Sequence, residues 1–119
     1  MKDFRELKVW EKSHHLTLAV YQETRTYPKE ELYGLTSQTR RAASSVPTNI
    51  AEGCGRGTDP DFARFLQMAM GSANELDYHL LLARDLEMLR VEAYDGLLQS
   101  LMEVKRMLAA LIRTVNPDR

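Results

Sequence analysis

Residues 59–89, DPDFARFLQMAMGSANELDYHLLLARDLEML, contain the pattern that decides the fold of this chain. Their apolar residues recur at steps of three or four, which is the spacing of one face of an α-helix. Asp59 is suited to cap such a helix, and Pro60 is suited to its first position. At 1.5 Å per residue, a helix of this extent is about 45 Å long. The stripe expected in the core consists of Phe62, Leu66, Ala69, Ala73, Leu76, Leu80 and Ala83.

Three further stretches have helical spacing. The predicted helices cover about residues 4–26, 36–54, 59–89 and 92–115. Pro28 and Gly34 separate the first two, and Pro117 follows the last. Short connections between four helices favour antiparallel neighbours. The sequence therefore predicts an all-α protein, an antiparallel up-down four-helix bundle formed as a single domain by residues 1–119.

Composition limits the class of protein. Hydrophobic residues make up 44% of the chain and charged residues 28%, which is typical of a globular protein and not of a disordered one. The formal net charge is -1, so no overall positive field attracts nucleic acid. Residues 1–10 lack the apolar region of a signal peptide, and no apolar run is long enough to cross a bilayer. We therefore expect a cytoplasmic protein with no membrane partner.

Two polar stripes lie on the second and third predicted helices. The first consists of Gln38, Arg41, Ser45, Asn49, Glu52 and Arg56, and the second of Arg64, Ser72, Glu75 and His79. Antiparallel packing would place Arg41 against Glu75, and Glu52 against Arg64. We expect a buried structural network of matched charges that fixes the register of the two helices. The alternative is that the stripes form a polar ligand groove or a catalytic site.

The remaining chemistry-bearing residues predict no metal site and no catalytic residue. His14 and His15 are adjacent on a helix and point about 100° apart, so they do not readily share one ion. Glu75 and His79 lie one turn apart, but the further glutamates and the second Glu-x-x-His motif of di-iron bundles are missing. Cys54 is the one cysteine, so no internal disulfide can form. We expect no cofactor and no small-molecule substrate.

Arg40, Arg41 and Arg56 are the candidate nucleic-acid-binding residues. Guanidinium groups bind phosphates, and an oligomer would repeat the set and concentrate its field. Arg41 would be neutralised in part by the expected pair with Glu75. Arg40 should point to a different face, which makes it the freer of the two adjacent arginines.

Residues 33–53, YGLTSQTRRAASSVPTNIAEG, closely resemble the signature of the 23S rRNA intervening-sequence protein family, also called the four-helix-bundle protein family. The matching residues are Tyr33, Gly34, Leu35, Gln38, Arg40, Arg41, Ala42, Ser45, Pro47, Asn49, Ile50, Ala51, Glu52 and Gly53. A second block is matched by Phe62, Phe65, Leu66, Ala69, Gly71, Ser72, Glu75, Leu82, Ala83 and Leu86. The opening helix is matched by Leu7, Val9, Trp10, Leu16, Tyr21 and Pro28. The resemblance covers nearly the whole chain and departs from the pattern at Cys54 and Gly55.

The resemblance also carries expectations about assembly and partners. The family is similar to the accessory variability determinant of diversity-generating retroelements, a basic pentameric barrel that binds nucleic acid and a reverse transcriptase. By this resemblance we expect a ring-like homo-oligomer, with five as the expected number of subunits. The first hypothesis is a non-enzymatic bundle that binds RNA or DNA, with an association with ribosomal RNA implied by the family. The alternatives are a protein–protein assembly module that binds no nucleic acid, and an enzyme that uses the polar stripes.

Overall fold

The structure is a computed structural model, and it describes residues 3–116 of the chain. Pro117, which the sequence places after the last helix, lies outside the described residues. The helices are α1 (Lys8–Thr24), α2 (Leu35–Cys54), α3 (Asp59–Asp85) and α4 (Val91–Val115), with short 3₁₀ turns at Phe4–Glu6 and Lys29–Glu31. Residues 3–116 contain no strand, so the predicted all-α class is confirmed.

The four helices pack as a bundle. Each one contacts the helix before and after it in the chain, and α4 closes the bundle against α1. The bundle measures 43 Å along its length and 22 Å in each of the other directions. In the part of the chain that the structure describes, no helix has the length and apolar character needed to cross a membrane.

The centre of the core is the stripe predicted on α3. All seven of its members are buried, and Leu66, Leu76 and Leu80 have no exposed surface. α4 contributes Leu101 and Leu108, which are also fully buried. Removing each of these leucine side chains from water stabilises the fold by about 1.5–3 kcal/mol. The helical spacing of residues 59–89 therefore identified the core correctly.

α3 ends four residues earlier than the sequence predicts, and Glu87 explains why. This residue adopts the left-handed conformation, with φ at 62°. The Met88 N–H donates to the Ala83 carbonyl at 2.9 Å, and the Glu87 N–H donates to the Arg84 carbonyl at 2.9 Å. These two bonds form the Schellman motif that usually ends a helix at glycine. Because a glutamate occupies the left-handed position, the sequence lacks the expected stop signal.

The first predicted helix is divided in the structure. The Asp3 side chain accepts a hydrogen bond from the Arg5 N–H at 3.0 Å and supports the 3₁₀ turn at Phe4–Glu6. Leu7 is then extended, and α1 begins at Lys8. This break folds the Phe4 ring back to 4.8 Å from the ring of Trp10, measured between centroids.

α2 passes through Pro47 because another helix replaces the missing hydrogen bond. Pro47 has no N–H to donate to the carbonyl of Ala43, and both residues are buried. The Thr17 hydroxyl, on α1, lies 3.1 Å from that carbonyl oxygen and 2.8 Å from the Ser13 carbonyl oxygen. Ser13 lies four residues before Thr17 in α1, so the Ser13 carbonyl already accepts the backbone N–H of Thr17. The Thr17 hydroxyl therefore satisfies the one carbonyl that Pro47 leaves without a helical donor.

Candidate nucleic-acid interface

The charge pairs predicted between α2 and α3 are not formed. Among the ion pairs of residues 3–116, none joins Arg41 to Glu75 or Glu52 to Arg64. The Arg64 Nε instead lies 3.6 Å from the Oδ1 of Asp61, on the same helix. The Glu75 side chain is 57% exposed, with its Oε2 4.0 Å from the Nε2 of His79. The two stripes therefore do not form a buried network of matched charges.

The helical repeat explains this difference. A step of three residues falls about 60° short of a full turn. Arg41 follows Gln38 by three, and Glu52 follows Asn49 by three, so both charges are turned away from α3. Arg41 and Glu52 are accordingly exposed, whereas Asn49 and Ser45 are half-buried and bonded within α2, with the Asn49 Nδ2 donating to the Ser45 carbonyl at 2.9 Å.

The interior polar groups of the bundle are incompletely paired. His79 is buried, and its Nδ1 has no hydrogen-bond partner within residues 3–116. The same holds for the hydroxyl groups of Tyr27, Thr36 and Thr39. Ser72 is half-buried, and Gln38 is exposed. In the described part of the chain, no group of three or more His, Cys, Asp and Glu residues is arranged to hold a metal ion.

Tyr27 gives the fold a predicted dependence on alkaline pH. Burial, and to a smaller extent the nearby Glu23 carboxylate, raise the pKa of Tyr27 from 10.0 to about 12. The folded state therefore holds this proton more tightly than the unfolded state, and the stabilisation is complete below the unfolded pKa. We expect the stability of the wild-type protein to fall between pH 10 and 12 by more than that of Tyr27→Phe.

Urea denaturation of both proteins across this pH range checks the Tyr27 prediction. At neutral pH we expect Tyr27→Phe to be as stable as the wild type or more stable by about 1 kcal/mol, because it removes a buried hydroxyl without a partner. Identical alkaline profiles for the two proteins would contradict the assignment.

The three predicted nucleic-acid-binding arginines fall into two places. Arg40 and Arg41 lie near the N-terminal end of α2, and Arg56 follows its C-terminal end. Fifteen residues of helical rise place Arg56 about 22 Å from Arg41 along the axis. One subunit therefore does not present a single patch that contains all three residues.

Arg40 and Arg41 line a cleft at the outer edge of α1 and α2, which we call the Arg–Tyr cleft. Its defining residues are Tyr21, Tyr33, Thr36, Arg40 and Arg41. The cleft is open to solvent, with a volume of about 470 Å³. Leu32 and Ser37 also line it. Tyr33 is 93% exposed, the highest value among the exposed large hydrophobic residues. The two arginines and the exposed ring thus share one open surface.

The two arginines of the Arg–Tyr cleft have different roles. The Arg40 Nε donates to the Thr24 hydroxyl at 2.8 Å, and its guanidinium carbon lies 4.9 Å from the centre of the Tyr21 ring. Arg41 is exposed and makes no ion pair with any residue in the range 3–116. The sequence-based expectation that Arg40 is the freer arginine was therefore wrong: Arg40 is held in place, and Arg41 is available to a partner.

A second basic cluster lies at the opposite end of α2. The guanidinium carbons of Arg56 and Arg64 lie 4.7 and 4.8 Å from the centre of the Phe65 ring. Phe65 is buried, and the two guanidinium groups lie over its ring at the edge of the core. Arg64 is partly neutralised by Asp61 at 3.6 Å. This cluster offers less unpaired charge than the Arg–Tyr cleft.

Sequence reasoning missed the aromatic part of the Arg–Tyr cleft. Tyr33 precedes Gly34 in a connection, and this placement gives no signal of how far the ring extends into solvent. Tyr21 lies on α1 at helical spacing with buried residues, yet it is 42% exposed and stacks against Arg40. The other candidates have structural contacts: the His14 ring stacks on Trp10 at 4.9 Å between centroids, and Cys54 is buried.

Comparison with known proteins identifies relatives of this architecture. The family model for the 23S rRNA-intervening sequence protein matches residues 5–110. A crystal structure of a protein of unknown function from the S23 ribosomal protein family of Bacteroides thetaiotaomicron is similar in fold, with a TM-score of 0.80 and 24% identity. The alignment covers 88% of this chain and 98% of that one. The comparison with curated proteins found no match.

The family match spans α1, α2, α3 and most of α4, and it includes the Arg–Tyr cleft. The similar crystal structure has the same fold over nearly its whole length. Both observations agree with the resemblance noted from residues 33–53. The chain therefore belongs to the 23S rRNA-intervening sequence protein family.

Proposed function

We propose that this protein is a non-enzymatic nucleic-acid-binding protein that contacts RNA or DNA through the Arg–Tyr cleft. The observation that carries the proposal is that Arg40, Arg41 and Tyr33 line one open surface. Guanidinium groups pair with phosphate oxygens, and exposed aromatic rings stack with bases. RNA is the first ligand to test because the family description refers to 23S rRNA.

The geometry favours binding over catalysis. The arginines and glutamates of the polar stripes are all exposed and are not gathered around an enclosed cavity; they are Arg41, Glu52, Arg56, Arg64 and Glu75. Strongly perturbed acids and bases in a closed site are the usual sign of catalysis. The Arg–Tyr cleft instead offers two guanidinium groups, which donate hydrogen bonds, and the exposed ring of Tyr33. These groups can hold a ligand but are not arranged to transfer a chemical group.

Self-association is part of the proposal. One subunit has a net charge of -1 and presents two arginines in the cleft, so a single copy would bind nucleic acid weakly. A ring of five copies would offer five clefts, and binding of one strand at several clefts would raise the overall affinity without any new contact. Light-scattering mass tests this part: a value near five times 13.7 kDa supports the ring, and a monomer contradicts it.

The principal test of the proposal uses charge reversal. Labelled RNA should be retarded by the wild-type protein at low salt and released as salt is raised, because phosphate contacts release counterions. Arg41→Glu should weaken this binding and lower its salt dependence by about one counterion per lost phosphate contact.

Arg106→Glu is the matched control for this test. Arg106 is exposed on α4, which does not contact α2, and the substitution makes the same change in net charge. We expect the Arg106→Glu variant to bind RNA nearly as well as the wild type. Equal losses for the two variants would show that the cleft has no special role, and a wild type that retards neither RNA nor DNA would reject the proposal.

A protein partner is the second candidate function. Leu32 is 48% exposed beside Tyr33, and an exposed apolar pair next to arginine is also a common feature of protein interfaces. The salt-dependent retardation assay separates the two candidates, since a protein-only interface predicts no RNA binding at any salt concentration.

A further inference from the structure

We infer that the Arg–Tyr cleft takes single-stranded nucleic acid, with an unpaired base stacked on Tyr33 and the adjoining phosphate held by Arg41 and Arg40. The inference rests on the proposed function and names its ligand more narrowly. It also assigns a direct role in binding to Tyr33, which lines the cleft together with the two arginines.

The exposure of Tyr33 is the first observation. Almost the whole ring faces water, in a connection that is fixed by the Gly34 N–H bond to the Glu31 carbonyl at 3.0 Å. Both faces of such a ring can be reached by another flat group. The faces of paired bases inside a duplex are covered by their neighbours, whereas those of an unpaired strand are available for stacking. Tyr33 is therefore matched to an unpaired base.

The position of Arg40 is the second observation. Its guanidinium group is fixed between the Thr24 hydroxyl at 2.8 Å and the Tyr21 ring at 4.9 Å. An arginine whose side chain is already ordered loses less entropy when it binds a phosphate. Arg41, without an ion pair in the described residues, adds a second cation to the same cleft. The Glu31 carboxylate is bound to the backbone at the start of α2, where its Oε1 accepts a hydrogen bond from the Leu35 N–H at 3.0 Å.

The burial of Thr36 is the third observation. Thr36 lines the Arg–Tyr cleft but is only 4% exposed, and its Oγ1 is buried without a hydrogen-bond partner within residues 3–116. The hydroxyl is therefore closed off from a ligand in the cleft. The groups that remain for a ligand are the Tyr33 ring and the guanidinium groups of Arg40 and Arg41, so the cleft combines a stacking ring with two cations.

The decisive experiment compares a short labelled single-stranded RNA with a duplex of the same sequence, by fluorescence anisotropy at low salt. The wild-type protein should bind the single strand more tightly. Tyr33→Ala should weaken single-strand binding about tenfold to a hundredfold, while Tyr33→Phe, which keeps the ring, should bind nearly as the wild type. Duplex binding should be the same for the three proteins.

Tyr78→Ala is the matched control, since Tyr78 is an exposed tyrosine on α3, outside the cleft. We expect it to leave single-strand binding unchanged. If Tyr33→Ala binds single strands as the wild type does, while Arg41→Glu loses binding, the proposed function stands and the stacking inference is overturned. If the wild type binds neither form of the RNA and neither form of the corresponding DNA, the inference and the proposed function both fail. If Tyr33→Ala changes only the light-scattering mass, the surface is a protein contact and the inference is also overturned.

Discussion

Gly53→Ala should destabilise the protein by about 1–3 kcal/mol, although alanine is the better helix former. Gly53 is buried near the end of α2, where it faces Phe62 and Phe65 of α3. A Cβ atom at this position would lie 2.9 Å from both the Phe62 Cδ1 and the Phe65 Cβ. Because Phe65 Cβ is attached directly to the backbone of α3, the two helices would have to separate.

Gly71→Ala is the control for Gly53→Ala, and its predicted effect has the opposite sign. Gly71 is exposed within α3, and a Cβ atom added there would meet nothing within 4 Å. The same substitution should therefore stabilise the protein by about 0.5–1 kcal/mol, through helix propensity alone. Urea denaturation at one protein concentration measures both changes. Equal stability of the two variants would contradict the close approach of α2 and α3 at Gly53.

Thr17→Val should cost about 1–3 kcal/mol, because it leaves the buried Ala43 carbonyl without a donor. The change is close to isosteric, so the loss of packing is small. In a protein that already carries Pro47→Ala, the residue at position 47 has an N–H that can donate to Ala43. The same Thr17→Val substitution should then cost much less.

A double-mutant cycle measures this coupling between Thr17 and Pro47. The four proteins are the wild type, each single variant and the double variant, with their free energies of unfolding compared by urea denaturation. We expect the cost of Thr17→Val to differ between the two backgrounds by about 1 kcal/mol or more. Additive effects would mean that the Thr17 hydroxyl does not replace the missing bond.

The core and the fold class could be predicted from the sequence because they depend on local periodicity. The α3 stripe is buried as expected, because apolar residues at helical spacing lie on one face of the helix and that face packs against the core. The end of α3 could not be predicted, because the left-handed residue is Glu87 and not a glycine. Likewise, nothing near Pro47 indicates that its missing bond is replaced by Thr17, which lies on another helix.

The candidate site was only partly predictable, for reasons of side-chain direction. Spacing placed Arg41 and Glu75 on facing stripes, but the turn of the helix directs Arg41 to solvent, where it becomes part of the Arg–Tyr cleft. The sequence predicted that Arg40 is freer than Arg41, whereas Arg40 is the one held by other side chains. Its contacts with Thr24 and Tyr21 depend on how α1 packs on α2, which spacing along one helix does not specify. The exposure of Tyr33 depends on the path of a connection, which residue spacing does not specify.

Ultraviolet cross-linking of bound single-stranded RNA, followed by trypsin and mass spectrometry, locates the contact on the protein. Trypsin cuts after Lys29 and Arg40, which isolates residues 30–40 with Tyr33 as their one tyrosine. We predict that this peptide carries the cross-linked nucleotide and that Tyr33→Phe keeps most of the signal while Tyr33→Ala loses it. Cross-links confined to other peptides, such as residues 65–84 with Tyr78, would show that nucleic acid binds elsewhere on the bundle.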